Sequence, residues 1–189
     1  MIIEILRTRV LPNPEIQTVI WDTAKELYNI ITEGHLQEKQ EAQLEFSKRK
    51  FPEETDLDKL AAQTDNFRQQ LQPMEYAIPY TRFETVVKLC TTMQKNVVLI
   101  NHEKDVYRPM VIDGKVVSQP TGEKELDGYR KTLDLTDWAF ISKYDKETRQ
   151  FGIQIIKSPL GMEMVGMELT DPSYDKLVSL CKLIGRELS

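Results

Sequence analysis

The chain has 189 residues, 40 % of them hydrophobic and 29 % charged, which is enough apolar material to bury a core without disulfide or metal staples and argues against wholesale disorder. Its net charge of −5 speaks against general coating of nucleic acid, which needs a basic excess, and leaves room only for a local basic patch. No apolar run approaches the roughly 20 residues of a membrane span, and Met1–Arg7 lacks the basic region, long apolar stretch and cleavage site of a secretory signal, so a cytoplasmic location is expected.

In chain order, Ile2–Val10 reads as an extended segment, with Ile3, Ile5 and Val10 among polar neighbours, and Pro12 ends it. Asn13 and Pro14 then read as a helix start, because an Asn side chain accepts an unpaired backbone N–H and Pro lacks one to waste. Ile16, Val19, Ile20, Leu27, Ile30 and Ile31 follow at helical spacing, with Trp21, Ala24 and Tyr28 widening the stripe. Gly34 marks an end or a weak point. From Leu36 to Lys50 the residues are mostly Gln, Glu and Lys, with Leu36, Leu44 and Phe46 as sparse apolar members, the pattern of a solvated helical arm. Lys48-Arg49-Lys50 complements the negative end of that helix. Phe51-Pro52 breaks it, and Asp56 caps a further helix that carries Leu57, Leu60, Phe67 and Leu71 up to Pro73.

Pro73–Pro79 reads as a link, followed by Thr81-Arg82-Phe83-Glu84 as a reciprocal helix cap. Phe83, Val86, Val87, Cys90 and Met93 give that helix a buried face. Val97–Ile100 has the look of an interior strand. Val106–Ile112 and Lys115–Gln119 flank Asp113-Gly114, a dipeptide that favours a two-residue hairpin turn, and Pro109 sends its strand to an edge or a bulge. Glu123–Leu133 reads as a short helix. Asp137–Tyr144, Arg149–Lys157 and Met162–Leu169 form an antiparallel meander, its first two strands alternating with period 2. The last helix starts at Asp171-Pro172, with Leu177, Leu180, Cys181, Ile184 and Leu188 in one stripe. Helices, then strands, then a helix predict an α+β fold: an N-terminal helical hairpin or small bundle over residues 1–73 with a leading strand, and a mostly antiparallel sheet region over 74–189 covered by the last helix, as two regions or as one domain.

The residues that could carry chemistry are few. His35 and His102 are the only histidines, and no Cys or His pair has metal-ligand spacing, so no metal site and no cofactor are expected. Cys90 and Cys181 lie on apolar stripes and read as buried thiols. His102-Glu103-Lys104-Asp105 follows a strand and places an imidazole beside carboxylates, the makings of a general base, but an exposed polar turn explains it better. Asp105 with Asp113-Gly114-Lys115 resembles a metal-binding acidic hairpin only faintly, because Asp113-Gly114 is the turn itself. There is no G-x-S-x-G elbow and no phosphate-binding G-x-x-x-x-G-K-[ST] loop. Met162, Met164 and Met167, near Gly161 and Gly166, read as core filling ahead of a partner surface.

Lys143, Lys146, Arg149 and Lys157 cluster in sequence around the first meander hairpin, with Trp138, Tyr144 and Phe151 nearby. Cations interleaved with aromatics suit RNA or single-stranded DNA, although a charged edge with its rings turned inward is the plainer reading. The expected function is therefore a noncatalytic accessory or adaptor subunit that contacts proteins through Leu36, Leu44 and Phe46 of the helical arm and through the meander edge. The alternative is a nucleic-acid-associated subunit that uses Lys143, Tyr144, Lys146, Arg149 and Lys157.

Overall fold

The computed structural model describes residues 2–64, 67–112, 115–183 and 185. The fold is α+β, with helices at both ends of the chain and antiparallel sheets, as expected. The chain groups into two compact units, Met1–Arg130 and Lys131–Ser189, and the Pro73–Pro79 link lies inside the first.

In the first unit, the expected leading strand is helical: α1 (Ile2–Ile5) runs into a π-helical stretch over Leu6–Val10. The wider turn carries a hydrogen bond from Leu11 N–H to Leu6 O at 2.8 Å, and Leu6 and Leu11 are the buried residues here, so the two-residue alternation of Ile3 and Ile5 misled. The expected helix from Pro14 is also corrected. Asn13 instead accepts from the Glu15 N–H in a local turn, and Thr18–Asp22 is strand β1, rich in β-branched and aromatic residues, with Val19 buried and Ile20 exposed.

Helix α2 (Ala24–Lys50) begins only after Thr23, whose hydroxyl accepts from the Glu26 N–H at 3.3 Å. It runs through Gly34 and the polar arm without a break, roughly 40 Å in all. Helix α3 (Leu57–Gln63) is capped by the Asp56 carboxylate as expected, but stops at Thr64 rather than near Leu71. A 3₁₀ turn over Pro73–Tyr76 leads directly into α4 (Ala77–Thr92), and the reciprocal cap sits at Gln72 and Glu75, well before Thr81 and Glu84. Thr81 is already inside the helix and donates to Ala77 O. Phe83, Val86, Val87 and Cys90 are buried, as their spacing predicts, while Met93 is exposed. Burying each of the larger side chains stabilises the unit by roughly 1.5–3 kcal/mol. Tyr28 of α2 and Tyr80 and Phe83 of α4 gather with Tyr129 into an aromatic cluster with centroids 5.0–6.1 Å apart.

Strand β2 (Asn96–Ile100) pairs with β1 in parallel, Val19 opposite Val97 and Trp21 opposite Leu99. It is a two-stranded sheet with Val98 and Ile100 exposed, not an interior strand. Strands β3 (Glu103–Ile112) and β4 (Lys115–Leu126) form a long antiparallel ribbon. Glu123–Leu126, expected to be helical, extend β4 instead. The Asp113-Gly114 turn lies outside the described residues.

The second unit holds the meander. Strands β5 (Ala139–Asp145) and β6 (Gln150–Lys157) are antiparallel, with β7 (Glu168–Thr170) on the other edge of β6. The third strand is shorter than expected, because Met162–Met164 is a 3₁₀ turn that buries Met164 completely. Helix α5 (Tyr174–Leu183) completes the core: Ile155, Met164 and Cys181 are fully buried, with Trp138, Leu169, Leu177 and Leu180 packed against them. Ile184 and Leu188 of the expected stripe lie outside the described residues. Both cysteines are buried and free, and burial pushes the Cys90 thiol pKa upward.

Candidate interaction surface

The ribbon of β3 and β4 has two differently built halves. At its base, charged side chains pair across the strands: Lys124 with Asp105 at 2.7 Å, Lys104 with Glu125 at 3.4 Å, and Arg108 with Glu123 at 3.0 Å. The base is tied to the body of its unit by Asp127, whose N–H donates to His102 O at 2.8 Å and whose carboxylate binds Lys25 of α2 at 2.6 Å. The Lys25 hydrogen bond holds the Asp127 carboxyl below the usual carboxylate range, and Asp127 in turn raises Lys25. Between Asp105 and Tyr107 the register slips, with Thr121-Gly122-Glu123 bulging from β4 opposite Val106. Gly122 has φ +80°, open to glycine without steric cost, and the Thr121 hydroxyl donates to Val106 O.

Beyond the bulge the ribbon becomes uncharged on one side. Tyr107 lies opposite Pro120, Pro109 opposite Ser118, and Val111 opposite Val116, and alternation puts these six on one face. All six are exposed, Val111 and Val116 by 72 % and 73 %. Met110 and Val117, a pair on the opposite face, are exposed as well. Among the described residues the sheet has two strands only, so both edges of the ribbon are without a neighbouring strand.

The helical-arm residues are less uniform than expected. Leu36 and Leu44 are half-buried along α2, and Phe46 alone is widely exposed. Phe46 borders a shallow groove of about 360 Å³ lined also by Ser47, Lys50, Phe51, Thr64 and Arg68. Lys50 sits 5.5 Å above the Phe51 ring. The buried Ser47 hydroxyl lies 2.7 Å from Thr64 Oγ1, which itself donates to Leu60 O, so Ser47 is the donor and the pair ties α2 to α3.

The five residues of the expected nucleic-acid surface do not converge. Lys143 lies on the face away from α5 and pairs with Glu168 at 2.5 Å. Lys157, at the opposite end of the strands from the hairpin turn, donates to Leu133 O and Thr136 O at 2.6 Å each. Tyr144 is on the other face from Lys143, 4.7 Å from Phe151 between centroids, and both rings are exposed. Lys146 and Arg149 sit in the turn beside them, shaped by the Asp145 carboxylate accepting from the Glu147 and Thr148 N–H groups. Those bonds hold the Asp145 carboxyl below its usual range.

His102-Glu103-Lys104-Asp105 is the entry to β3, where Lys104 pairs with Glu125 and Asp105 with Lys124 across the strands. Among the described residues no group of three or more His, Cys, Asp or Glu has an arrangement that could hold a metal ion. No helix among them is long and apolar enough to cross a membrane.

Two features escaped the sequence. One is the reach of the ribbon past Pro120, where Pro120-Thr121-Gly122 carries turn residues and Glu123-Lys124-Glu125 has no apolar alternation. The other joins α2 and α4: Glu38 accepts both terminal nitrogens of Arg82 at 2.9 Å and hydrogen-bonds His35 Nδ1 at 3.1 Å. Arg82 above all holds the Glu38 carboxyl below its usual range. His35 is buried, with Nε2 unpartnered among the described residues. Glu38 stands three residues beyond His35, one helical turn, but nothing in the sequence aligns Arg82 with them. Comparison with family models, curated proteins and solved structures finds no match for the chain.

Proposed function

We propose that this chain is a noncatalytic accessory or adaptor subunit that makes protein–protein contacts in a larger assembly, with the β3–β4 ribbon as its main docking element. The observation that carries the reading is the uncharged, exposed face from Tyr107 to Pro120. A two-stranded ribbon is marginal in water until a further strand or a packed face supports it, and contiguous exposed apolar surface marks contact sites. Phe46 and its groove offer a second, smaller contact on α2. The test is a photo-crosslinking residue introduced at Val116, with the same residue at exposed Tyr174 as control. A discrete protein adduct at position 116 that survives nuclease and is missing at 174 is the expected result. No protein adduct at 116 above the control refutes the reading.

Exposure of Tyr144 and Phe151 beside Lys146 and Arg149 favours a second reading, contact with RNA or single-stranded DNA. With Lys143 and Lys157 engaged within the protein, two cations remain for phosphate, so the salt slope should be shallow, about −1.4 on a log–log plot. Lys146→Glu with Arg149→Glu should abolish it. Undetectable binding of the unmodified chain at low salt refutes this reading.

A further inference from the structure

The groove beside Phe46 differs in charge from the chain that carries it. Lys39, Gln43, Phe46 and Lys50 recur at steps of four, three and four along α2 and share one stripe, and Arg68 closes the groove from the segment after α3. None of its described lining residues is a carboxylate, in a chain of net charge −5. Its three cations are not used up within the protein. Lys39 and Arg68 share a single carboxylate, Glu75, which accepts from Arg68 and lies 3.8 Å from Lys39. Lys50 stands over the Phe51 ring and, among the described residues, pairs with no carboxylate. The arrangement is also set in advance. The Arg68 N–H donates to Gln43 Oε1 at 3.2 Å and its carbonyl accepts from Gln40 Nε2 at 2.7 Å, so the Arg68 backbone is clamped to α2. Between the cations, Phe46 is 71 % exposed.

We propose that this groove binds an acidic peptide segment of a partner protein, with one apolar side chain on Phe46 and carboxylates at Lys50 and at the Lys39 and Arg68 end. The inference rests on the adaptor reading and names the chemistry of its second contact. Lys39 and Phe46 are seven residues apart and Phe46 and Lys50 four, roughly 10 and 6 Å along a helix. An extended segment covers those spans in about three and two residues, which gives the pattern acid-x-x-apolar-x-acid. A short segment of this kind brings few charges, matched to the cations it meets. A phosphodiester chain brings one charge per nucleotide, and the excess is repelled by the acidic remainder of the protein.

The test is an NMR titration of the isotope-labelled full chain with the end-blocked synthetic peptide Glu-Ser-Thr-Leu-Ser-Glu, and with versions carrying Gln for both Glu or Ser for Leu. The acidic peptide should shift the amides of Phe46 and Lys50 and bind more weakly as salt rises. Either altered peptide, or the exposed-site variants Lys50→Glu and Phe46→Ser, should lower the affinity about fivefold or more. Lys146→Glu, in the other unit, should leave it unchanged, and amides away from the groove show that each variant is folded. The proposal is overturned if the acidic peptide at millimolar concentration shifts no groove amide, or binds Lys50→Glu as well as the unmodified chain. A like loss in Lys146→Glu, or displacement of the peptide from the groove by oligothymidylate, also overturns it. The crosslink at Val116 separates this failure from failure of the adaptor reading: with a protein adduct there, only the groove assignment falls, and without one the adaptor reading falls too.

Discussion

Replacing Val111 and Val116 together by threonine tests whether the ribbon face is free surface or part of a folded core. Threonine keeps the β-branched shape and strand preference, so the substitution isolates the apolar contribution. A valine fully removed from water contributes roughly 1.5 kcal/mol. These two keep 72 % and 73 % of their surface exposed, so each contributes roughly a quarter of that, about 0.4 kcal/mol. The pair together should therefore cost the monomer about 0.8 kcal/mol. Urea unfolding, followed by circular dichroism and tryptophan emission at a concentration where the chain is monomeric, measures the difference. A loss above roughly 2 kcal/mol, in the range of buried truncations, would mean that the face is packed within its own chain, and the docking reading would lose its foundation.

Ile155→Ala should behave oppositely, since Ile155 is fully buried against Met164 and Cys181; about 2–5 kcal/mol should be lost in the unfolding transition reported by Trp138, and a loss below roughly 1 kcal/mol contradicts the core assignment. Tyr28, pushed up to about 12 chiefly by desolvation within the aromatic cluster, favours folding fully below its ordinary value of 10.0. That contribution is lost as pH rises through 10 to 12, so absorbance at the tyrosinate band should show a late phase that Tyr28→Phe removes. In acid the sign reverses. Asp127 has its pKa lowered from 3.8 by Lys25, so its contribution is complete above that value and is lost as pH falls through the depressed one. Asp127→Asn should flatten the stability profile there while costing no more than about 1 kcal/mol near neutrality, because Lys25 is partly solvated; an unchanged profile refutes the assignment.

The α+β class was legible because the meander and the last helix have clean periods, 2 and 3.6, and their neighbours did not compete. The N-terminal third was less legible for reasons visible in single residues. Ile16, Val19 and Ile20 fit a helical spacing, yet Thr18–Trp21 are β-branched or aromatic, and pairing with Val97–Leu99 decided for a strand. The helix start is written as Thr23-Ala24-Lys25-Glu26, the same Ser/Thr-x-x-Glu pattern that Thr81–Glu84 carries inside α4. For the candidate site, the edge position of Pro109 was anticipated, but the exposure of both ribbon faces was not, because alternation shows which residues share a face and not whether a face is covered. The same limit applies to Lys143 and Lys157. Both flank one hairpin in the sequence, yet they lie apart on the sheet and are engaged by partners more than 20 residues away.

The ribbon's halves divide two requirements that conflict in a single strand pair. A ribbon that meets a partner needs open backbone groups and apolar side chains, the same features that invite indiscriminate strand pairing. Here the charged pairs at Asp105, Arg108, Lys124 and Glu123 fix register near the base, and Asp127 fastens that base to Lys25 of α2. The ordering cost of the base is thus met within the protein. Along β4 the stretch from Val116 to Gln119 is left without charge, and Pro120 closes it on one side. This stretch spans four residues, shorter than the roughly six or seven of a fibril-forming segment. Moving the open stretch, by Pro120→Val, should therefore lengthen the edge and raise aggregation, measured as light scattering at fixed concentration. Unchanged scattering would show that Pro120 does not guard this edge.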